Sequence, residues 1–410
     1  MIFLSRSEHL PIAIDLGHES VKVLQLQERG GALAVMAAAQ QVMDSGELAG
    51  SDRVAIAIPH LRRLIHEGGF RGKQVAAVLP REFVKVKTIR LPLLPESDLK
   101  SAIELETRDL FTLPPEQLSI RFIPAGEVKQ GTEPRLEVIV LAVETRLIDH
   151  LLEQFNQLGM IVSSLDFEPC AMYRGIERFV RRKEDENEVS VMVDIGAAQS
   201  QVVIGRGRDV TFTKTIEIGS RKLSDCVGRK LSLSQSEAAS LRRRFAALDP
   251  AEKDPVRQTV VDATRNMMSD LAHEVSLCLR YYSVTFRGQR PTKVRLLGGE
   301  ANDPSLRQAL TQSLTVPVEI YHPFGGIKTS GTIIDSREGS LSEWGVAFGA
   351  ALRHVKNTVQ RHTDPQQRFG RREGDASVVE VVDLSAAIKT AGVMETTEPR
   401  RSRTEEATHA

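Results

Sequence analysis

Cysteine is scarce in this chain, and neither sign of charge is in excess. The three cysteines among 410 residues, Cys170, Cys226 and Cys278, lie far apart and outside any CxxC spacing. This spacing argues against a structural zinc site and against a disulfide framework. Lys plus Arg and Asp plus Glu both number 54, so no global field attracts nucleic acid or an anionic membrane. We therefore expect reduced core cysteines and no nucleic-acid partner.

Long apolar runs are also absent from the sequence. No uninterrupted apolar stretch approaches the roughly 18 to 20 residues that a membrane helix needs. Residues 1–8 place apolar residues before charged ones and lack the apolar core of a signal peptide. We therefore predict a cytoplasmic chain with no direct membrane span. Its length and its 41% apolar content allow two domains with full hydrophobic cores.

Two short segments, about half the chain apart, share one pattern. IAIDLG at residues 12–17 and VMVDIG at residues 191–196 each run from apolar residues to an Asp, another apolar residue and a Gly. A strand that ends in this way aims one carboxylate and several backbone N–H groups at the same small space. That arrangement suits a phosphate with its metal ion.

The segments around these motifs repeat an order of strands followed by helices. In the first half we predict a hairpin over residues 11–27, a helix over 51–68 and a strand over 75–80. In the second half we predict strands near 191–196, 201–205 and 210–218, helices over 220–232, 235–246 and 255–287, and a strand over 293–299. The repetition indicates a pseudo-duplicated α/β architecture.

A compact insert and a polar tail complete the pattern. Residues 81–150 predict a strand at 83–89, a helix from Glu96 through Leu110, strands at 118–124 and 136–143, and a helix over 146–159. Beyond about residue 356 the composition turns polar, and we expect a disordered tail of about fifty residues. Residues 378–388 form an apolar island in this tail. We expect simple disorder there before a partner-binding segment, and a partner-binding segment before a membrane anchor. The polar face of the island lacks the Lys and Arg residues that are typical of a membrane-binding helix.

Six stretches carry a more specific pattern. They are IAIDLGHESVKVLQL (12–26), LPREFVKVKTIRLPLLPESDLKSAIELETRDLFTLPPEQL (79–118), LIDHLLEQFNQLGMIVSSLDFEPCAMYR (147–174), VDIGAAQSQVVI (193–204), VRLLGGEA (294–301) and WGVAFGAALR (344–353). In this order, over about residues 10–355, they resemble the PilM family, the actin-like proteins of type IV pilus assembly that are related to the division protein FtsA. The insert carries most of the specificity, through residues 92–95, its acidic helix start and residues 111–115.

The resemblance implies an actin-like, ribonuclease H-like fold of two pseudo-duplicated α/β domains. Residues 1–80 and 151–188 would form the first domain, and 81–150 its PilM/FtsA-type inserted subdomain. Residues 189–355 would form the second domain, with a helical subdomain at about 220–290, and 356–410 the disordered tail. Residues 344–351 read as a tightly packed helix with small residues, the second connection between the domains.

The resemblance also implies a site for ATP and Mg²⁺. Asp15 and Asp194 would lie near the magnesium ion and act through water. The other implied nucleotide contacts are Gly17, His18, Ser20 and Lys22 in the first loop, Gly196, Ala197 and Ser200 in the second, Arg242 on a helix, and Gly298, Gly299 and Glu300 in an adenosine loop. The turn at 298–301 is also compatible with a simple strand-to-helix turn in which Asp303 or Ser305 caps the next helix.

Several positions depart from the family pattern. His18 stands where the family usually has Ser or Thr, Ala197 and Ala198 supply no hydroxyl, and Ala239 replaces a Glu that contacts ribose. Backbone donors must then carry more of the phosphate binding. Arg242 keeps a cation able to stack on a base. Glu168 is compatible with orienting a hydrolytic water and equally with starting a helix before Pro169.

The function implied is an ATP-binding scaffold, at most a slow ATPase, that binds the cytoplasmic N-terminal peptide of a PilN-like inner-membrane protein. Such a chain is held at the inner membrane by its partner. Pilus motor or alignment-complex components and a homo-oligomer are further candidate partners. Three alternatives stay open: a small-molecule kinase, an FtsA-like membrane-associated division filament, and a degenerate scaffold without nucleotide.

Overall fold

Three β-sheets and nine helices organise the part of the chain that the computed structural model describes. That part is residues 8–29, 32–43, 48, 50–108, 110–248, 254–286, 290–329, 331–332, 334 and 341–355. The predicted tail, with its apolar island, lies outside the described residues. The strands are β1 (Glu8–His9), β2 (Ile12–Leu16), β3 (Ser20–Arg29), β4 (Ala32–Val42), β5 (Gln74–Val78), β6 (Val84–Pro92), β7 (Leu118–Gln130), β8 (Glu133–Glu144), β9 (Ile161–Asp166), β10 (Val189–Ile195), β11 (Ser200–Arg206), β12 (Asp209–Ile216), β13 (Val294–Leu297) and β14 (Val318–Ile320). The helices are α1 (Gly50–Glu67), α2 (Glu96–Glu106), α3 (Thr145–Gln157), α4 (Glu168–Glu177), α5 (Ser220–Leu231), α6 (Gln235–Ala247), α7 (Pro255–Phe286), α8 (Pro304–Ser313) and α9 (Gly345–Ala351).

The two large sheets have the same topology, as the sequence repeat predicts. In the first half the strand order is β4-β3-β2-β5-β9, with β1 also paired to β3. In the second half the order is β12-β11-β10-β13-β14. In each sheet the first three strands are antiparallel, and the last two join them in parallel. The pseudo-duplicated α/β architecture is therefore present.

The central strands β2 and β10 are buried throughout because helices cover both of their faces. Ile12 and Ile14 pack with α1 and α3 on one face of the first sheet, whereas Ala13 faces α4 and α9. In β10, Val191 and Val193 pack with α7 and α8, and Met192 faces α4 and α9. One shared core thus lies between the two halves and contains α4 and α9.

Helices α4 and α9 cross at the centre of this shared core. Every residue of α9 is buried, as the small residues of this helix predict. A Cβ placed on Gly349 would collide with the backbone carbonyl of Ala171 in α4. Glycine therefore permits the close approach of the two helices.

The insert is a three-stranded sheet of order β6-β8-β7 with α2 packed on one face. Strands β7 and β8 are longer than predicted because the ladder continues through polar residues to a tight turn at Gly131. Helix α2 ends at Glu106, four residues before the predicted end. Strand β4 has no sequence prediction, since its Ala-rich stretch forms a strand only by pairing with β3.

None of the helices in the described segments combines the length and the apolar character needed to cross a membrane.

Candidate functional site

A cleft between the two halves collects most of the residues that the sequence singles out. Its volume is about 380 Å³, within the range of small-molecule sites. It opens where β2 and β10 end, so the two Asp-x-Gly loops face the same space. The sequence-predicted residues that line it are Asp15, Gly17, His18, Ser20, Lys22, Glu168, Asp194, Gly196, Ala197, Gly298, Gly299 and Glu300.

The two Asp-x-Gly loops have the same local geometry. A Cβ on Gly17 would lie 2.9 Å from the carbonyl oxygen of Ser20, and a Cβ on Gly196 would lie 2.9 Å from that of Gln199. Each hypothetical Cβ also lies within 4 Å of the carboxylate two residues earlier, that of Asp15 or Asp194. The turns therefore require glycine for space, and the motif repeats in three dimensions as it does in sequence.

Hydrogen bonds to their backbone carbonyl groups hold both loops in place. In the first loop, Arg53 Nη1 donates to the carbonyl oxygens of Leu16, at 3.0 Å, and Gly17, at 2.7 Å. In the second loop, the first amides of α5 do the same for Gly196 and Ala197, each at 3.0 Å. Because a trans peptide points its N–H opposite to its C=O, the N–H groups that follow these carbonyls face away from the anchors. Both loops thus offer backbone donors to the cleft.

Arg53 is a residue that sequence reasoning missed. Its side chain is 1% exposed and also forms an ion pair with Glu82 at 2.6 Å. A signal was present, because Arg53 lies on the same helical stripe as the buried Ala57 and Leu61, at spacings of four residues. A charged residue on an apolar stripe marks a side chain that has a buried partner.

Asp15 lies opposite Lys22 in the β2–β3 ladder, and the two side chains form an ion pair at 3.6 Å. Lys22 also donates to Ser20 Oγ at 2.9 Å. Burial raises the pKa of Asp15, and Lys22 only partly opposes this effect. The carboxylate is therefore short of positive charge.

Asp194 contacts a cation that comes from the boundary of the insert. Arg81 Nη2 lies 3.2 Å from Asp194 Oδ2, and Arg81 also donates through Nε and Nη2 to both carboxylate oxygens of Glu168. Burial and the negative charge of Glu168 raise the pKa of Asp194 to about 6, against the opposing effect of Arg81. Arg81 is the second residue that the sequence analysis did not single out.

The carboxylates fit a hydrated magnesium ion. No group of three or more metal-binding side chains occurs among the residues with described positions. Magnesium is usually held through one or two carboxylates, with waters and phosphate oxygens as the other ligands. Two facing carboxylates with raised pKa values gain stability from a nearby cation, so Asp15 and Asp194 suit this mode.

The turn at Gly298 and Gly299 is compatible with both sequence interpretations. Gly298 has φ +86°, and a Cβ there would lie 2.8 Å from Asp194 Oδ1. A Cβ on Gly299 would meet nothing within 4 Å, so the backbone is open to the cleft at this point. Asp303 Oδ1 caps α8 by accepting from the amides of Ser305 and Leu306. The turn can therefore both end a strand and admit a planar ring.

Arg242 and Ser200 do not line the cleft. Arg242 is buried, donates to the carbonyl oxygen of Ser220 at 3.1 Å, and forms ion pairs with Glu300 and Asp303. Its neighbour Arg243 lines the cleft instead, so the predicted stacking of Arg242 on a base is not what its position supports. Ser200 donates its hydroxyl to the carbonyl oxygen of Ile218 at 2.6 Å. Both residues support the second loop from behind.

His18 and Glu168 both line the cleft. His18 is half-buried, and burial together with Arg221 and Arg53 lowers the pKa of its imidazole. Glu168 begins α4, and both its oxygens are taken by Arg81. Glu168 therefore starts a helix before Pro169, as one of its two sequence interpretations has it.

Comparisons with known proteins bear on the whole chain. The family model described as type IV pilus assembly protein PilM matches residues 13–355. Among curated proteins, the cell division protein FtsA of Streptococcus pneumoniae is 22% identical over 346 residues, covering 76% of this chain and 75% of FtsA.

Solved structures show the same fold. A PilM–PilN type IV pilus biogenesis complex has a TM-score of 0.69 at 21% identity, covering 84% of this chain and 98% of the solved one. The ethanolamine utilization protein EutJ of Carboxydothermus hydrogenoformans has a TM-score of 0.51 at 14% identity, covering 84% and 89%. The actin-like fold expected from the sequence is confirmed.

Proposed function

Because the chain belongs to the PilM family of type IV pilus assembly proteins, we propose that it is an ATP-binding scaffold of pilus assembly or of a related secretion or competence machine. The observation that carries the nucleotide part is the pair of matching Asp-x-Gly loops across one cleft. A phosphate chain with its cation needs donors and carboxylates on both sides, and the cleft offers both.

Each part of the nucleotide has a candidate set of contacts. The amides of Gly17, His18, Ala197 and Ala198 would bind the phosphates, together with the charge of Lys22. Asp15 and Asp194 would accept hydrogen bonds from the waters of Mg²⁺. The open backbone at Gly299 would receive the purine. Magnesium, when bound, supplies charge neutralisation of the phosphates.

We propose that hydrolysis is slow if it occurs. Glu168 is the candidate for orienting a water, but both its oxygens accept from Arg81. A carboxylate held in a bidentate ion pair has less freedom to act as an acceptor for water. A role for this protein as a scaffold is compatible with slow turnover.

We further propose a PilN-like inner-membrane protein as the partner, bound through its cytoplasmic N-terminal peptide. Family membership supports this, and the similar solved complex contains PilM with PilN. The protein would then work at the cytoplasmic face of the inner membrane. Contacts with other pilus components and self-association belong to the same proposal.

Calorimetric titration of Mg²⁺·ATP into the full chain tests the nucleotide site. The double variant Asp15→Asn with Asp194→Asn should abolish binding, whereas Asp262→Asn, at an exposed ion pair on α7, should bind as the wild type does. Asn keeps the size of the side chain, and burial, which raises the pKa of both carboxyl groups, favours a neutral group at these positions. A folded wild type that binds no nucleotide would leave a nucleotide-free scaffold.

A fluorescence titration with the N-terminal peptide of the PilN homologue from the same cell tests the partner. Saturable binding supports the scaffold. ATP turnover stimulated by one small metabolite favours a kinase instead. Lipid pelleting that is lost when residues 376–392 are deleted favours an FtsA-like filament.

A further inference from the structure

A three-residue turn joins the cleft to the insert. This segment, Arg81–Phe83, follows β5 and directly precedes β6, and we call it the root turn. Its three side chains go to three different parts of the molecule. The insert therefore starts from a segment whose position depends on both halves.

Arg81 ties the root turn to the second half. It reaches Asp194, which is 113 residues away in sequence and ends the central strand of the second sheet. The same guanidinium holds Glu168 at the start of α4. Its side chain is 20% exposed and those of both partners are 12% exposed, so water screens these ion pairs weakly.

Glu82 ties the root turn to the first loop. It accepts from Arg53 Nε at 2.6 Å, and Arg53 in turn holds the carbonyl oxygens of Leu16 and Gly17. Arg53 is almost completely buried, so it cannot easily take another partner in water. One residue of the turn thus contacts Asp194 beside the second phosphate loop, and the next contacts Arg53, the support of the first loop.

Phe83 and Val84 connect the root turn directly to the core of the first half and to the insert. Phe83 is 2% exposed and packs in the core of the first half. Val84 begins β6 and pairs in register with Val143 of β8, which is near the other connection of the insert. A displacement of the root turn must therefore move or strain the two strands that support the insert.

We propose that the root turn couples occupancy of the cleft to the position of the insert, with Arg81 and Glu82 as positioning residues. The inference rests on the proposed nucleotide site. Asp194 Oδ2 is the atom that Arg81 contacts, and in this proposal it gives up that hydrogen bond when it accepts from the waters of a bound Mg²⁺. The root turn then keeps Glu168 and Arg53 but loses its link to the second half.

A second route from the second half to the insert exists and must be separated from the first. Tyr281 of α7 donates to Glu137 Oε1 at 3.0 Å, and Glu137 also pairs with Arg90 of β6. If the halves move relative to each other, this contact can also displace the insert. Tyr281→Phe removes its hydroxyl and leaves the root turn intact, which makes it the matched control.

Hydrogen–deuterium exchange of the β6 amides in the full chain tests the inference. Each variant is measured without ligand and at a Mg²⁺·ATP concentration that calorimetry shows to be saturating for that variant. In the wild type and in Tyr281→Phe, nucleotide should accelerate exchange in β6 about fivefold or more. In Arg81→Gln, exchange should already be fast without ligand and should not respond. Arg81→Lys, which keeps the charge, should restore part of the response.

The failures are distinguishable. If the wild type binds nucleotide and β6 does not respond, or if Arg81→Gln responds as the wild type does, the root turn is not the coupling element. Loss of the response in Tyr281→Phe alone would assign the coupling to α7 and overturn the proposal. If the wild type binds no nucleotide, the proposed function fails, and the ligand-free exchange data then test whether the root turn holds the insert. In that case Arg81→Gln and Glu82→Gln must accelerate β6 exchange relative to Tyr281→Phe.

Discussion

Buried aspartates in this protein differ in how well their charge is compensated. Asp194 has one cation at 3.2 Å and a second carboxylate nearby, and its pKa is raised to about 6. Asp166, at the end of β9, is completely buried, but Arg174 at 2.6 Å and Arg353 at 3.4 Å outweigh the effect of burial and lower its pKa. The charge of Asp194 is therefore only partly compensated, whereas that of Asp166 is met by a completed structural contact.

Asp194→Asn should therefore not destabilise the ligand-free protein at pH 7. Because the pKa of Asp194 is raised in the folded state, this side chain contributes to the free energy of unfolding below about pH 4, and the contribution is lost as the pH rises through about 6. The neutral variant avoids this loss, which is on the order of 1–3 kcal/mol. Urea unfolding of both proteins between pH 4 and 8 measures the difference. A variant that is less stable than the wild type at pH 7 would contradict the assignment.

Asp166→Asn should have the opposite effect. Its lowered pKa contributes stability that is present above the unfolded pKa and is lost as the pH falls through the folded one. The variant leaves Arg174 and Arg353 without their carboxylate, at a cost of about 3–5 kcal/mol at pH 7. A urea series extended down to about pH 2 should show this difference shrinking below about pH 4, and equal losses at pH 3 and pH 7 would refute the ionic origin.

At the scale of elements, the two phosphate loops use different supports for their carbonyl groups, which are those of Leu16 and Gly17 in the first loop and of Gly196 and Ala197 in the second. The buried side chain of Arg53 supports the first loop, and the N-terminus of α5 supports the second. A side-chain support can be removed by one substitution, whereas backbone amides of a helix cannot. The two loops therefore differ in their sensitivity to mutation.

Arg53→Met should loosen the first loop and leave the second unchanged. The substitution removes the donors to Leu16 and Gly17 and leaves Glu82 unpaired, which costs about 1–3 kcal/mol. Amide exchange over residues 16–20 should accelerate, while exchange over residues 196–199 should stay at the wild-type rate. Equal acceleration in both loops would mean that the loops are not supported independently.

Gly349→Ala tests the crossing of α4 and α9. The added methyl group would collide with the carbonyl of Ala171, so the helices must separate, at a cost of about 1–3 kcal/mol or more. Gly299→Ala is the control, because a Cβ there meets nothing within 4 Å. Thermal unfolding should show a lower Tm for the first variant only. Similar Tm values for both variants would show that the crossing is not tightly packed.

At the scale of the whole molecule, the halves share one core. Residues of both sheets pack with α4 and α9, and Trp344, the single tryptophan of the chain, is fully buried there. A core that takes side chains from both halves cannot lose one half without exposing apolar surface of the other. The two halves should therefore unfold together.

Urea unfolding followed by Trp344 fluorescence and by far-ultraviolet circular dichroism should give coincident transitions. Fluorescence reports the shared core, and circular dichroism reports the helices of all parts. Mg²⁺·ATP at 100 times its Kd should shift both transitions together by about 2.7 kcal/mol. Separate midpoints for the two signals would mean that the halves fold independently.

Local patterns were sufficient for most elements of the fold. The strands that end at Asp15 and Asp194 are apolar runs followed by glycine turns, and the long helices have clear periodicity, so neighbouring residues alone specify them. Strand β4 and the ends of β7 and β8 escaped prediction because pairing with another strand determines their conformation. The family resemblance identified the actin-like fold through the insert.

The sequence by itself determined the duplicated strand-and-turn motifs, since an apolar run, an aspartate and a glycine act over a few residues. Only the tertiary structure decided which cationic side chains contact these motifs. Arg53 reaches Leu16 from 37 residues away, and Arg81 reaches Asp194 from 113 residues away. It also placed Arg242 behind the second loop and its neighbour Arg243 on the cleft wall. Ion pairs between distant residues depend on how the elements pack, and no local pattern encodes that packing.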